Sequence, residues 1–245
     1  MVAAKNDLFS VEFFELQLRF AKRVAELTGI SLSEAVGSHT NIYVRLGMGQ
    51  QLDIGNPHWQ DYLAGLAGAR EKAEWTHSIH ASRLQVPAGP TLANAVGCFS
   101  YALVGQDRAR LHFHAGDCAS ESPLSPENRD LRQRELTSLF SELRASSSES
   151  MRIVGASWLY NLQSYRRLFP EPYLAALQPT AHPYQRMPLW GQFLTRDRQV
   201  RPQARERFLR DVTHASDLSE LDLCFPFSVL TSTSPARWFY DHLGL

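Results

Sequence analysis

Apolar residues recur at helical spacing in the first part of the chain. After Ser10 they return every three or four positions as far as Leu27, and Gly29 follows, as expected of a residue that ends a helix. Ser31 and Glu34 have the spacing of a capping box, in which each residue satisfies a free backbone N–H of the other. The pattern therefore predicts one helix before Gly29 and a second that begins at Ser31.

A longer helical pattern is predicted from His58 to about Arg83. Prolines then interrupt the sequence, and the following residues are richer in strand formers. We expect a helical N-terminal region, residues 1–86, and a mixed α/β region, residues 87–245, which together form one continuous domain.

The first strands are predicted just after this change. VGCFSYALV, Val96–Val104, and ARLHFH, Ala109–His114, are joined by a short turn that contains Gly105, a pattern typical of a β-hairpin. A helix is predicted to start at Ser125-Pro126, because proline is favoured in the first turn of a helix.

The stretch from Met151 to Pro170 combines a short apolar run with polar and aromatic residues. Ile153–Ala156 predicts a buried strand that turns into an amphipathic helix. Ligands in open α/β sheets bind beyond the carboxyl ends of strands. We therefore expect substrate contacts from the residues of this turn, namely Ser157, Trp158, Tyr160, Asn161 and Tyr165. A non-catalytic module that binds a small molecule or a protein is one function these residues would allow.

Two more strands are predicted near the C-terminus, at Leu189–Leu194 and at Cys224–Leu230, with a helix from Pro202 to about His214 between them. The fold class we expect is α+β. A helical N-terminal layer packs on a mixed sheet of about five strands with interleaved helices.

The elements also suggest an internal repeat. Strand, loop, helix, strand and helix are predicted from Ala109 to Phe169 and again from Leu189 to Leu245. The last parts superpose without a gap, so that Tyr165 falls on Tyr240. The hypothesis is a duplicated β-α-β-α unit.

Charge and cysteine content exclude several classes of partner. Net charge is zero and the pI is about 7.1, so no basic field exists to hold nucleic acid. No apolar run is long enough to span a membrane. The three cysteines stand far apart, which predicts free thiols in a reducing compartment and a cytoplasmic protein. The expected partner is a small-molecule substrate.

The C-terminal string ARWFYDHLGL resembles the helix and turn A-x-x-F-Y-x-x-L-G-F/L of the GNAT superfamily of acyl-CoA-dependent N-acyltransferases. The resemblance implies acyl-CoA as cofactor, transfer of an acyl group to a small molecule, and Tyr240 as the acid that protonates the leaving thiolate. The superfamily also binds pyrophosphate through a glycine-containing loop, Q/R-x-x-G-x-G/A. Only Arg198 and Ala204 match that loop here, because its glycines are absent and Pro202 lacks an N–H.

Arginines crowd the start of the helix predicted from Pro202. Basic residues at that end oppose the helix dipole, an arrangement that an anion site would explain. Arg198 and Arg201 are therefore the candidate ligands of the cofactor phosphates. A solvated face with paired acids is the alternative.

A metal-dependent enzyme is the alternative to an acyltransferase. His112 and His114 are two residues apart in a predicted strand, so their imidazoles lie on one face. With a carboxylate from Asp117 or Glu121 they would complete a set of two histidines and one carboxylate for a divalent metal ion.

Overall fold

The chain forms two compact units in the computed structural model, which describes residues 8–49, 51–84, 94–114, 122–146, 148, 150–180, 183–195 and 197–245. Met1–Ala88 and His182–Pro226 make up the first, which we call the helical unit. Gly89–Ala181 and Phe227–Leu245 make up the second, the sheet unit. The sequence predicted one division near residue 87, a position outside the described residues, and did not predict that 182–226 would join the helices.

The helical unit consists of seven α-helices and one 3-10 helix in its described residues. They are α1 Val11–Thr28, α2 Leu32–His39, α3 Ile42–Arg45, α4 Pro57–Gly68, α5 Lys72–Arg83, the 3-10 helix Pro183–Phe193, α9 Pro202–His214 and α10 Leu218–Leu223. Gly29 is left-handed and ends α1, and the Ser31 hydroxyl accepts a hydrogen bond from the Glu34 N–H. Both predicted helix ends are confirmed.

The single helix predicted from His58 to Arg83 is wrong, because α4 and α5 form a helical hairpin. The break is stabilised by Lys72, whose ammonium donates to the carbonyls of Leu66, Ala67 and Ala69 at the end of α4. A side chain at Gly65 would collide with the Trp75 ring, so glycine lets the two helices approach closely.

The sheet unit contains the mixed sheet. Its elements are β1 Ala95–Val96, β2 Phe99–Leu103, β3 Arg108–Phe113, α6 Arg129–Ser146, β4 Arg152–Ser157, α7 Gln163–Arg166, α8 Glu171–Ala175, β5 Gln178–Pro179, β6 Leu230–Pro235 and α11 Arg237–Leu243, with 3-10 turns at Pro126–Asn128 and Trp158–Asn161. The strand order is β1-β2-β3-β4-β6-β5. Only β3 and β4 are parallel neighbours; the other pairs are antiparallel. The predicted α+β class, the mixed sheet and the β2–β3 hairpin are confirmed.

The helix α6 contains a buried ion pair that also contacts the start of the sheet. Arg132 is 2% exposed and donates to Glu135 at 2.7 Å. Glu135 also accepts the Cys98 N–H at 3.1 Å, and Arg132 contacts the Cys98 sulfur. Gly97 has φ 56° and carries no side chain where the Glu135 carboxylate lies, so this turn requires glycine.

Cys98 is disulfide-bonded, while Cys224 is a buried free thiol. The prediction of three free thiols is therefore wrong, because spacing along the sequence does not show which sulfurs folding brings together. No helix in the described part of the chain is long and apolar enough to cross a membrane.

Two predicted strands near the C-terminus are wrong. Leu189–Phe193 lies in the 3-10 helix and Leu194 forms an isolated bridge with Val200, while Cys224–Leu230 contributes only Leu230 to β6. Both apolar runs instead bury aromatic rings in the helical unit, where Trp190, Phe193, Phe208 and Phe225 pack with centroids 4.7 to 6.2 Å apart. The second copy of the proposed repeat therefore lacks its first strand, and its elements are divided between the two units.

Candidate functional site

The two parallel strands of the sheet stop pairing before either of them ends. Pairing joins residues 108–110 of β3 to residues 152–154 of β4 and stops there, although β3 continues to Phe113 and β4 to Ser157. Their outer edges remain paired, β3 with β2 through Phe113 and β4 with β6 through Ser157. The carboxyl-terminal residues of these two parallel strands are thus not paired with each other, and ligands bind at such strand ends in open sheets. We call this unpaired end of the β3–β4 boundary the opening.

The peptide groups that face this opening follow from the hydrogen bonds beside it. Arg152 N–H donates to Asp107 O across the β3–β4 boundary at 2.8 Å. Because peptide groups alternate between the two edges of a strand, Ala156 also turns its N–H and C=O toward β3. On β3, His114 N–H donates to Cys98 O on the β2 side, so Phe113 faces β4. Phe113 and Ala156 therefore turn peptide groups toward the opening, where no described strand residue pairs with them.

Buried tyrosines lie on the core face of the opening. Tyr160 and Tyr165 are 1% and 2% exposed, and the hydroxyls of Tyr160 and Tyr173 are 2.6 Å apart. A side chain at Gly155 would collide with both of those hydroxyls. The Phe113 and Tyr165 rings meet edge to face at 5.5 Å, so an aromatic contact joins the end of β3 to the helix that follows β4.

These phenols remain protonated over the whole neutral pH range. Burial raises the pKa of Tyr160, Tyr165 and Tyr173 well above its usual value. Tyr160 interacts with the hydroxyls of both neighbours, which makes a chain of three phenols. We call Tyr160, Tyr165 and Tyr173 the tyrosine chain.

The opposite face of β3 is cationic and polar. His112 and His114 share this face with ring centroids 6.1 Å apart, as predicted, and the His114 ring is hydrogen-bonded to the Ser100 hydroxyl at 2.8 Å. Burial, His114 and Arg110 together lower the pKa of His112 to about 4, so its imidazole is neutral at pH 7.

The structure does not assemble the metal site among the residues it describes. No group of three or more His, Cys, Asp or Glu side chains is placed to hold a metal ion in those residues. The predicted carboxylates, Asp117 and Glu121, lie outside the described residues. The metal site stays a prediction.

The other predicted substrate contacts have local structural partners. The Ser157 hydroxyl accepts the Leu159 N–H and begins the 3-10 turn. The Asn161 amide donates to Trp158 O and Ser228 O. The Trp158 ring stacks on Phe227 with centroids 6.0 Å apart and planes 8° apart, and it is partly exposed. The side chains of Tyr160 and Tyr165 contact each other, with ring centroids 5.2 Å apart, and they do so in the core.

Tyr240 packs on α6 and is partly buried. The Arg144 guanidinium lies 5.3 Å from its ring centroid, and the Phe140 ring lies 6.4 Å away. The helix α11 begins where Ala236 N–H donates to Met151 O, beside the first residue of β4 and at the other end of that strand from Ser157.

Arg198 and Arg201 belong to the helical unit and have different surroundings. Arg201 is the residue before α9, and its guanidinium donates to Gln192 O at 3.5 Å. The Arg198 guanidinium lies 5.0 Å from the centroid of Phe9. Arg205 is paired with Glu15 at 2.5 Å. The arginine-rich segment is thus divided among separate contacts and does not converge on the start of α9.

Four residues of the opening were not predicted as site residues: Phe113, Gly155, Ala156 and Tyr173. Gly155 carried a signal, because a glycine inside a strand often marks a close approach by another group. The early end of pairing between β3 and β4 has no signal in the sequence of either strand, because it depends on how the two strands lie against each other.

Comparison of the chain with models of protein families, with curated proteins and with solved structures finds no match. We therefore infer function from the geometry of the chain itself.

Proposed function

We propose that the sheet unit is an acyl-CoA-dependent N-acyltransferase that acts on a small molecule. The observation that carries this proposal is the opening between β3 and β4, with the peptide groups of Phe113 and Ala156 turned into it. The resemblance of ARWFYDHLGL to GNAT acyltransferases points to the same cofactor.

The chemistry of the opening suits the pantetheine arm of coenzyme A. That arm is an extended chain interrupted by amides, which can donate and accept hydrogen bonds as an added strand does. A ligand that hydrogen-bonds to the peptide groups of Phe113 and Ala156 would extend the pairing of the strands, and each such bond contributes about 1 kcal/mol. Ala156 is exposed, which leaves the opening accessible from the face that bears Arg110 and His112.

The reaction joins an amine to the acyl carbon. A carbon–nitrogen bond forms, the carbon–sulfur bond of the thioester breaks, and the amine proton is lost while the leaving sulfur gains one. The tyrosine chain lies against Gly155, next to Ala156, and its phenols are protonated, so it offers a donor to the leaving thiolate. The sequence resemblance instead implies Tyr240 as the proton donor. Substituting Tyr240 or a member of the tyrosine chain distinguishes the two candidates.

Binding of coenzyme A tests the proposal directly. We expect coenzyme A and acetyl-CoA to raise the melting temperature of the full chain and to bind in calorimetry. Ala156→Pro removes the N–H that faces the opening, while the neighbouring residues 155 and 157 carry the bonds to β6. We expect it to weaken coenzyme A binding about tenfold, since one hydrogen bond contributes about 1 kcal/mol and the ring narrows the opening.

The matched control is Thr233→Pro. Thr233 is an exposed residue of β6, and its N–H points away from β4. It is not among the β6 residues that pair with β5, which are Leu230 and Thr231. Its affinity for coenzyme A should equal that of the unchanged chain. If both proline variants bind coenzyme A equally weakly, the opening is not the binding site. If neither coenzyme A nor acetyl-CoA raises the melting temperature of the unchanged chain or binds to it, the acyltransferase proposal is rejected.

A further inference from the structure

One face of the sheet carries three arginines on neighbouring strands. Ala109 and Ile153 are each 1% exposed and pack in the core, while the residues beside them in β3 and β4, Arg108, Arg110 and Arg152, are exposed. Because side chains alternate between the two faces of a strand, the three arginines lie on the face opposite the core. We call this face the outer face and the three residues the arginine cluster.

The register of β3 and β4 brings the cluster together. Arg108 is paired with Arg152, and Arg110 is paired with Val154, two positions further along β4. Neighbouring strands lie about 4.8 Å apart and each residue adds about 3.3 Å along a strand, so the three Cα atoms lie within about 8 Å of one another. Like charges at opposed positions of two strands destabilise a sheet, so stability alone would not favour this arrangement.

The charge of the arginine cluster is poorly balanced within the chain. Asp107 lies 3.7 Å from Arg108, but the two side chains are 59% and 53% exposed, so water screens this pair. Neither Arg110 nor Arg152 has a side-chain hydrogen bond or an ion pair in the part of the chain that the structure describes. Three guanidinium groups therefore meet one solvated carboxylate.

The outer face around the cluster is open and built from small, uncharged residues. Ala102 of β2 is paired with Arg110, and Thr233 of β6 is paired with Val154, and both Ala102 and Thr233 are exposed. The helix α6 packs on the opposite face, since its Leu139 belongs to the hydrophobic core. A ligand can thus approach the guanidinium groups without displacing a described element of the sheet unit.

From this arrangement we propose that Arg108, Arg110 and Arg152 form a binding site for the diphosphate group of a small molecule. Two linked phosphates carry several negative charges, and their oxygens accept paired hydrogen bonds from the planar guanidinium fork. The three charges form a compact group instead of a line along the sheet, which favours a short polyphosphate over a nucleic acid strand. The described strand residues of this face include no Phe, Tyr or Trp on which a base could stack.

The proposal does not rest on acyl transfer. Coenzyme A contains a diphosphate, and so does a nucleoside diphosphate such as ADP, and the arginine cluster would recognise the same group in either. The cluster lies at the paired end of the β3–β4 boundary, whereas the acyltransferase proposal depends on the opening at the other end.

The test compares the melting temperature of the full chain in sodium chloride, sodium citrate and sodium pyrophosphate at pH 8 and equal ionic strength. We expect pyrophosphate to raise it by about 3 °C over chloride, and citrate, which also chelates metal ions, to give no more than a third of that rise. The double variant Arg110→Gln with Arg152→Gln should lose the response. In chloride it should melt no lower than the unchanged chain, because these exposed side chains repel each other.

The matched control is Arg129→Gln with Arg134→Gln, which removes the same charge from exposed positions of α6. It should keep the full response. A response to pyrophosphate that survives Arg110→Gln with Arg152→Gln, or that is lost equally in the control, overturns the site. An equal response to citrate overturns the assignment to phosphate.

Calorimetry with ADP and with coenzyme A distinguishes the two sources of the diphosphate. We expect the double variant of the cluster to bind ADP about tenfold more weakly than the unchanged chain, since charged hydrogen bonds are lost. If ADP binds in this way and coenzyme A does not bind at all, the arginine site stands and the acyltransferase is rejected. If the two arginines are needed to bind a short single-stranded oligonucleotide but neither pyrophosphate nor ADP binds, the partner is a nucleic acid and the proposal fails.

Discussion

The hydroxyls of Tyr160 and Tyr173 meet 2.6 Å apart against the backbone of Gly155. This contact links the packing of the core to the opening of the sheet, because Gly155 is the first residue of β4 after its pairing with β3 ends. A side chain at position 155 would therefore have to displace both phenols.

We predict that Gly155→Ala destabilises the chain by about 2–3 kcal/mol, since the methyl group must displace two buried phenols from their hydrogen bond. The measurement is the midpoint of urea unfolding. Gly68→Ala is the matched control, because no atom lies near the added methyl group and alanine is favoured in a helix. A loss no larger than that of the control would contradict the close contact at Gly155.

A second prediction concerns the source of the proton in acyl transfer. Tyr173→Phe removes one hydroxyl of the tyrosine chain and should lower the rate of thiol release from acetyl-CoA, with a panel of amines as acceptors, by about 10- to 100-fold. Its KM for acetyl-CoA should not change. Tyr240→Phe should leave the rate within about twofold of the unchanged chain. The reverse result would assign the proton to Tyr240, as the sequence resemblance implies.

A third prediction follows from the ion pair of α6. Glu135→Gln leaves the guanidinium of Arg132 buried without its countercharge and should cost about 2–4 kcal/mol of unfolding free energy. Glu142→Gln makes the same change at an exposed position of the same helix and should cost less than about 0.5 kcal/mol. Equal effects of the two substitutions would show that the buried pair does not stabilise the fold.

A fourth prediction concerns acid stability. The pKa of His112 is about 4 in the folded chain and 6.5 in its usual state, so below pH 6.5 the unfolded chain binds a proton that the folded chain does not. The contribution of His112 is therefore complete above pH 6.5 and is lost as pH falls toward 4. Allowing for its partial exposure, we expect a loss of about 1–2 kcal/mol.

His112→Gln should remove this part of the pH dependence while the nearby groups Arg110 and His114 stay in place. The measurement is unfolding free energy between pH 4 and pH 8 for both chains. Parallel curves would mean that His112 has its ordinary pKa in the folded chain.

Local signals in the sequence were sufficient for many elements of the fold. Gly29 ended α1 because glycine adopts the left-handed conformation, and Ser31 capped α2 through its hydroxyl. The alternation in ARLHFH placed His112 and His114 on one face of a strand. Each of these features depends on neighbours within a few positions, which a sequence pattern records.

The wrong predictions concern features that are determined by contacts between residues far apart in the sequence. The apolar run at Leu189–Leu194 fits a strand or a buried helix equally well, and the aromatic cluster of the helical unit selected a 3-10 helix. Tyr160 and Tyr165 were expected to contact a ligand because they follow a strand, yet their rings turn into the core. The opening depends on where two strands stop pairing, which the sequence of neither strand records.

The division of each unit into two segments has a consequence for biosynthesis. Residues 227–245 follow every segment of the helical unit, and they supply β6, which lies between β4 and β5. On the ribosome the helical unit can therefore be complete while β4 still presents an unpaired edge of peptide groups. Open strand edges pair readily with other chains, so the nascent protein is most prone to aggregate in the interval before β6 emerges.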